Sequence, residues 1–155
     1  TRMDVDLYAL CEATLKSLES EAEGADVKLS LGGESGIING IPQLLASIVY
    51  NLCDNAIKYN KAGGKVDVTV DNKDSDVVVC VKDTGIGIPQ EHLDRIFERF
   101  YRVDKARSRD VGGTGLGLAI VKHIVKNLGG TINVKSKLGE GSEFIVTIPN
   151  KNFLK

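Results

Sequence analysis

The 155-residue sequence has almost no net charge, few cysteines and histidines, and no long apolar run. Each shortage excludes something. A formal charge of −1 gives no bulk attraction to nucleic acid or to an anionic membrane surface, so neither is expected as a partner. No apolar stretch approaches the roughly 20 residues of a bilayer span, and the opening TRMDVDLYAL lacks the pattern of a secretory signal. Cys11, Cys53 and Cys80 are odd in number, far apart and set among apolar residues. They read as reduced, buried thiols in a reducing, cytoplasmic setting. His92 and His123 are remote from any cysteine pair, which speaks against a structural metal site. No G-K-[ST] tripeptide closes a phosphate loop. What is present is ordinary globular composition, 42% hydrophobic and 26% charged, at a length that suits one domain over residues 1–155.

Hydrophobic periodicity predicts the elements. Leu7, Leu10, Cys11, Thr14, Leu15 and Leu18 recur at helical spacing within Val5 to Ala22. Val27 to Leu31 alternates as a strand, and Gly32 to Gly40 reads as a turn-rich connection. Pro42 opens a long helix to about Tyr59, in the first turn where proline is tolerated. Val66, Val68 and Val70 alternate with polar residues, and Val77 to Val81 is an unbroken apolar run expected at the centre of a sheet. Pro89 to Phe97 predicts a short helix, Phe100 to Gly113 a loop, and Leu116 to Leu128 a helix stopped by Gly129-Gly130. Thr131 to Val134 and Glu143 to Ile148 form a hairpin about Gly139 to Gly141, and the tail from Asn150 is polar. About three long helices and five strands, the strands in two hairpins plus one early strand, predict a two-layer α/β sandwich: a mixed sheet with helices on one face.

Three stretches carry chemistry. On the long helix, Leu45, Ile48, Val49, Leu52, Cys53, Ala56 and Ile57 form the apolar stripe, while Asn51, Asn55, Lys58 and Tyr59 share another face. Two neutral carbonyl ligands one turn apart suit a Mg²⁺ already bound to phosphate oxygens and water, and Lys58 suits a phosphate; a plain solvated face is the alternative. The apolar run at Val77 ends in Lys82-Asp83-Thr84-Gly85-Ile86-Gly87-Ile88-Pro89. An ionised Asp83 can accept from the exocyclic amine of adenine and reject the carbonyl that guanine has there. Gly85 and Gly87 would let a flat base approach the backbone; an ordinary turn is the alternative. Finally, Arg99, Arg102, Lys105, Arg107 and Arg109 precede GGTGLGLAIVKH at Gly112 to His123. This local positive charge suits a polyphosphate, or is only a solvated loop. The glycine run fails the dinucleotide spacing, because Leu118 and Ile120 stand where glycine or alanine is needed and no strand precedes it. Unhindered amides leading into a helix N-terminus still make an anion site.

In combination these stretches resemble the catalytic, ATP-binding domain of bacterial sensor histidine kinases, in the wider group that includes gyrase B and MutL. NLCDNAIKY resembles the N box, DTGIGIP the first glycine box, RIFERFYR the F box, GGTGLGLAI the second glycine box and GEGSEF the last. Five boxes in order, from about Asp4 to Pro149, are far more specific than any one. RIFERFYRVDKARSR with GGTGLGLAIVKHIV is most similar to phosphate-starvation and cell-wall sensor kinases of Gram-positive bacteria.

The resemblance implies a Bergerat-type fold with ATP between the N-box helix and a lid. By position, Asp83 would bind the adenine amine, Gly85, Gly87 and Ile88 would line the base, and Ser142 would assist through water. Asn51 and Asn55 would hold Mg²⁺ and phosphate, Lys58 would contact phosphate, and Tyr59 the sugar or base. Arg102 and Arg107 would reach the terminal phosphate. Gly113, Thr114, Gly115, Leu116, Gly117 and Leu118 would bind phosphates through backbone amides, with Thr114 close to the γ-phosphate. The expected catalytic set is Asn55, Lys58, Arg102, Arg107 and Thr114. The partner is the dimerisation domain bearing the phosphoacceptor histidine, and indirectly a response regulator, in the cytoplasmic part of a membrane-anchored sensor. Neither His92 nor His123 has the acceptor context, so the chain alone is expected to bind Mg·ATP without appreciable self-phosphorylation. A gyrase-like glutamate one turn before Asn55 is missing, Asn51 standing there instead. That fits phosphoryl transfer, which needs positioning and charge neutralisation, better than hydrolysis. The alternatives are a degenerate nucleotide-binding interaction module and a stand-alone anti-sigma-type serine kinase.

Overall fold

The computed structural model describes residues 1–101 and 117–150. The expectations for the cationic segment beyond Tyr101 and for the tail beyond Asn150 lie outside the described residues. The elements are β1 (Met3–Asp6), α1 (Leu7–Ser17), α2 (Glu19–Gly24), β2 (Val27–Gly33), β3 (Ile37–Gly40), α3 (Pro42–Lys58), β4 (Gly64–Lys73), β5 (Asp76–Asp83), α4 (Gly117–Asn127), β6 (Thr131–Lys137) and β7 (Gly141–Pro149).

β4–β5 and β6–β7 are the two expected antiparallel hairpins. β7 pairs antiparallel with β5, and β2 pairs parallel with β4, giving the mixed order β2-β4-β5-β7-β6 with β5 central. One face of the sheet is buried and the other is not. Val66, Val68 and Val70 of β4, Val77, Val79 and Val81 of β5, and Phe144, Val146 and Ile148 of β7 are all buried, and the residues between them are more exposed. This period of two places α1, α3 and α4 on one side. The α3 stripe from Leu45 to Ile57 is buried as its spacing predicts. Each of its leucine, isoleucine and valine side chains stabilises by about 1.5–3 kcal/mol relative to exposure. Among the described residues, no helix is long and apolar enough to cross a membrane.

The helix predicted from Val5 to Ala22 is three elements. β1 enters first, because Asp6 caps α1 by accepting from the Tyr8 N–H at 3.0 Å and takes the Gly36 N–H at 3.2 Å. The helix is then interrupted at Leu18, where α2 begins. The connection predicted from Gly32 to Gly40 contains β3, which pairs with β1 as a two-stranded ribbon, Met3 opposite Gly40. The helix predicted from Pro89 to Phe97 is a 3₁₀ turn at Gln90–His92, followed by turns closed by i to i+3 bonds such as Arg95 N–H to His92 O at 2.9 Å. Burial of Ile96 and the edge-on contact of Phe97 with Phe144 hold this stretch to the sheet where local helical preference would lift it away.

Candidate nucleotide site

The buried face of the sheet is apolar row by row until its end. Val81 of β5 lies opposite Phe144 of β7, and Phe144 opposite Val134 of β6. Two residues further on, the same alternation delivers Asp83, Ser142 and Ser136, likewise cross-strand neighbours. Asp83 and Ser142 are buried, each 8% exposed. A polar row at the rim of an otherwise apolar face is a place where a ligand can be recognised without opening the core.

Asp83 Oδ1 accepts two backbone N–H groups, from Gly85 at 2.9 Å and Ser142 at 3.3 Å. Its other oxygen makes no hydrogen bond among the described residues. Burial pushes the Asp83 carboxyl pKa up, and the two N–H donors pull it partly back, with burial prevailing. The result is a buried acceptor with one side uncommitted, which suits a ligand amine.

Ser136 links this row to the glycine-rich turn. Its hydroxyl accepts the Ile88 N–H at 2.7 Å, donates to the Gly141 carbonyl at 3.0 Å, and lies 2.7 Å from the Ser142 hydroxyl. Gln90 Nε2 donates to the Ser136 carbonyl at 2.7 Å, and the Gly139 N–H to the Ile86 carbonyl at 2.7 Å. The sequence pattern gave no reason to select Ser136; only its in-phase position after Ile132 and Val134 marks it. Asn60 was missed too. It is 7% exposed, donates to the Lys65 carbonyl at 3.0 Å and accepts from Thr84 Oγ1 at 3.4 Å, tying the end of α3 to the turn.

The two turn glycines are explained by packing. A Cβ on Gly85 would fall on the Tyr59 carbonyl, and one on Gly87, whose φ is +75°, would fall on the Lys137 carbonyl. Both let the turn seat itself between α3 and the β6–β7 hairpin. The Ile86 N–H donates to that same Tyr59 carbonyl at 3.1 Å.

Along α3, Asn51, Asn55, Lys58 and Tyr59 are all half-buried. Asn51 Nδ2 donates to the Ser47 carbonyl at 2.8 Å and lies 3.1 Å from its hydroxyl. A Cβ on Gly117 would lie 3.0 Å from Asn51 Oδ1, so the start of α4 meets α3 at this asparagine. The Asn55 carboxamide is uncommitted among the described residues. Lys58 turns to Asp54, with Nζ 3.1 Å from the carboxylate. Burial lowers its pKa, but Asp54, then Tyr50 and Glu21, outweigh this and raise it. Leu118 packs against the core. Arg102, Arg107, Gly113, Thr114, Gly115 and Leu116 lie outside the described residues.

The pattern of polar sheet end, asparagine-bearing helix and glycine turn defines a class. Residues 40–152 match the model of the histidine kinase-, DNA gyrase B-, and HSP90-like ATPases, and the chain belongs to that family of ATP-binding domains. Within it, the likeness is to sensor histidine kinases. The chain is 41% identical over 147 residues to the sensor-like histidine kinase SenX3 of Mycobacterium tuberculosis, covering 94% of this chain and 36% of that protein. It is 49% identical over 102 residues to the sensor protein SrrB of Staphylococcus aureus, covering 66% of this chain and 18% of that one. It therefore spans about a third or less of the curated relatives it matches. The solved structure of the mycobacterial sensor histidine kinase MprB superposes with a TM-score of 0.84 at 27% identity, covering 96% of this chain and 97% of that one.

Proposed function

We propose that the whole chain is one catalytic domain that binds Mg·ATP and presents its γ-phosphoryl group to a histidine on a separate dimerisation domain, from which a response regulator draws it. The observation that carries this is the oxygen of buried Asp83 that is uncommitted among the described residues, at the polar sheet end beside the asparagine face of α3. In this reading the adenine amine donates to Asp83, the base lies against Ile88 and the Gly85–Gly87 turn, and Ser142 assists. Tyr59 borders the sugar or base. Asn55, with Asn51, would hold Mg²⁺ through carboxamide oxygens, and Asn55 is free to do so among the described residues. The metal would supply charge neutralisation of the phosphates. Lys58 would leave Asp54 to meet phosphate. Arg102, Arg107 and the amides from Gly113 to Leu118, with Thr114 nearest the γ-phosphate, complete the site.

Asn51 supports transfer over hydrolysis. A carboxamide cannot act as a general base towards water, and this one already donates to Ser47. The setting would be the cytoplasmic part of a sensor. Two assays test the reading. Titration of an ATP analogue with and without Mg²⁺ should give binding that requires Asp83 and strengthens with the metal. Incubation of the chain with labelled ATP and a relative's dimerisation domain should place label on the acceptor histidine, with no stable label on the chain alone. No binding in the low-millimolar range, or steady-state phosphate release without transfer, would remove the proposal.

A further inference from the structure

We propose that Ser136 is a positioning residue that fixes the direction of the Ser142 hydroxyl proton and so makes the sheet end select an amine-bearing base edge over a carbonyl-bearing one. This rests on the adenine reading of the site.

A serine hydroxyl has one donor and two acceptor positions. Around Ser136 Oγ stand the Ile88 N–H, which can only donate, the Gly141 carbonyl, which can only accept, and the Ser142 hydroxyl, which can do either. One arrangement satisfies all three contacts. Ser136 gives its proton to Gly141, takes the Ile88 N–H, and takes the proton of Ser142. Ser142 then has no proton left for the pocket and offers only lone pairs.

Asp83 does the same on the other side of Ser142. The ionised carboxylate has no proton, and among the described residues its oxygen not bonded to Gly85 and Ser142 is an open acceptor. Across β5 and β7, in register, the Asp83 and Ser142 side chains then present only acceptors. A base with an amine at its six-position meets it with a donor. A base with a carbonyl there meets lone pairs with lone pairs, and its oxygen is left without a partner. Without the Ser136 hydroxyl, the Ser142 proton can swing into the pocket and serve that carbonyl. Ser136 does not touch the base in this scheme; it acts through Ser142.

Calorimetric titration of the full chain with ATP and with inosine triphosphate, which carries a carbonyl in place of the amine, tests this. Each variant's melting temperature is measured alongside. Wild-type protein should prefer ATP. Ser136→Ala should lose about tenfold in ATP affinity and shrink the ATP-to-inosine preference by a similar factor, the scale of one buried hydrogen bond. Ser136→Thr, which keeps the hydroxyl, should restore both. A Ser136→Ala protein that weakens both nucleotides equally, or neither, overturns the inference and leaves the ATP site standing. So does a folded Ser136→Thr that loses the preference. If Ser136→Ala does not fold, Ser136→Cys, whose thiol is only a weak acceptor, gives the same reading: a shrunken preference supports the relay and an intact one overturns it. A wild-type chain that binds neither nucleotide instead removes the adenine reading on which the inference rests.

Discussion

Asp83 meets two opposing demands. A base-binding carboxylate must be ionised and shielded from water, and burial penalises that ionised form in the absence of ligand. Its pKa is raised above the ordinary 3.8. For an acid, this sign means that its contribution favours folding below the ordinary value and is lost as pH rises through the folded value. Asp83→Asn imitates the protonated form and can keep the two backbone bonds. The variant should therefore melt together with wild type in acid and at or above it near neutral pH, while ATP affinity falls more than tenfold through the lost acceptor. Paired melts across pH with a binding titration check this; a neutral-pH melting temperature well below wild type would show that Asp83 stabilises the fold. The D-x-G-x-G spacing at a strand end made Asp83 legible in the sequence. Ser136 and Asn60 were not, because a serine on an edge strand or an asparagine after a helix reads as surface until a distant strand or turn closes over it.

α3 and the start of α4 form the second level. The stripe from Leu45 to Ile57 was legible because period 3.6 and burial on one side are the same fact stated twice. Four strands of the main sheet were legible for the same reason at period two, and β5 from its unbroken apolar run Val77 to Val81. β1 and β3 were not: each has four residues, too few to alternate, and their pairing spans more than thirty positions of sequence. The Lys58–Asp54 pair is likewise invisible to motif reading, which sends Lys58 to phosphate. It is an i, i+4 pair on a partly exposed helix face, worth about 0.3–0.5 kcal/mol. Asp54→Ala should thus leave the melting temperature nearly unchanged and tighten ATP binding by releasing the lysine. Weaker binding in that variant would mean that Asp54 helps to place Lys58. Gly117→Ala separates folding from function at the α3–α4 contact. Among the described residues, the nearest atoms to the new methyl all belong to the Asn51 side chain, which can turn aside, and alanine favours helix over glycine by up to about 1 kcal/mol. Stability should hold or rise while ATP affinity falls, because the displaced Asn51 faces the phosphates in the proposed site. Unchanged affinity would detach Asn51 from the nucleotide.

At the scale of the whole molecule, one core joins α1, α3, α4 and the sheet, and the cysteines report on it. Cys11 and Cys53 are buried, and burial first of all pushes each thiol up to about 12. Neither can form a thiolate at neutral pH in the folded state, so an alkylating reagent reaches them only through unfolding. Cys80, half-buried on the face of the sheet away from the helices, is accessible without it. Burial raises the Cys80 thiol too, so labelling should be slower there than at a free thiol yet faster than at the other two, read residue by residue by mass spectrometry. ATP binding to the folded state alone lowers the unfolded population by the factor 1 + [L]/Kd, about a hundredfold at a ligand concentration a hundred times Kd. Where refolding outpaces labelling, Cys11 and Cys53 should slow together by that factor in Mg·ATP, with Cys80 unaffected. The two thiols lie on different helices, so equal slowing would mean that the nucleotide stabilises one cooperative unit. Slowing at Cys53 alone would mean that α3 opens separately and that ATP secures only the helix it touches.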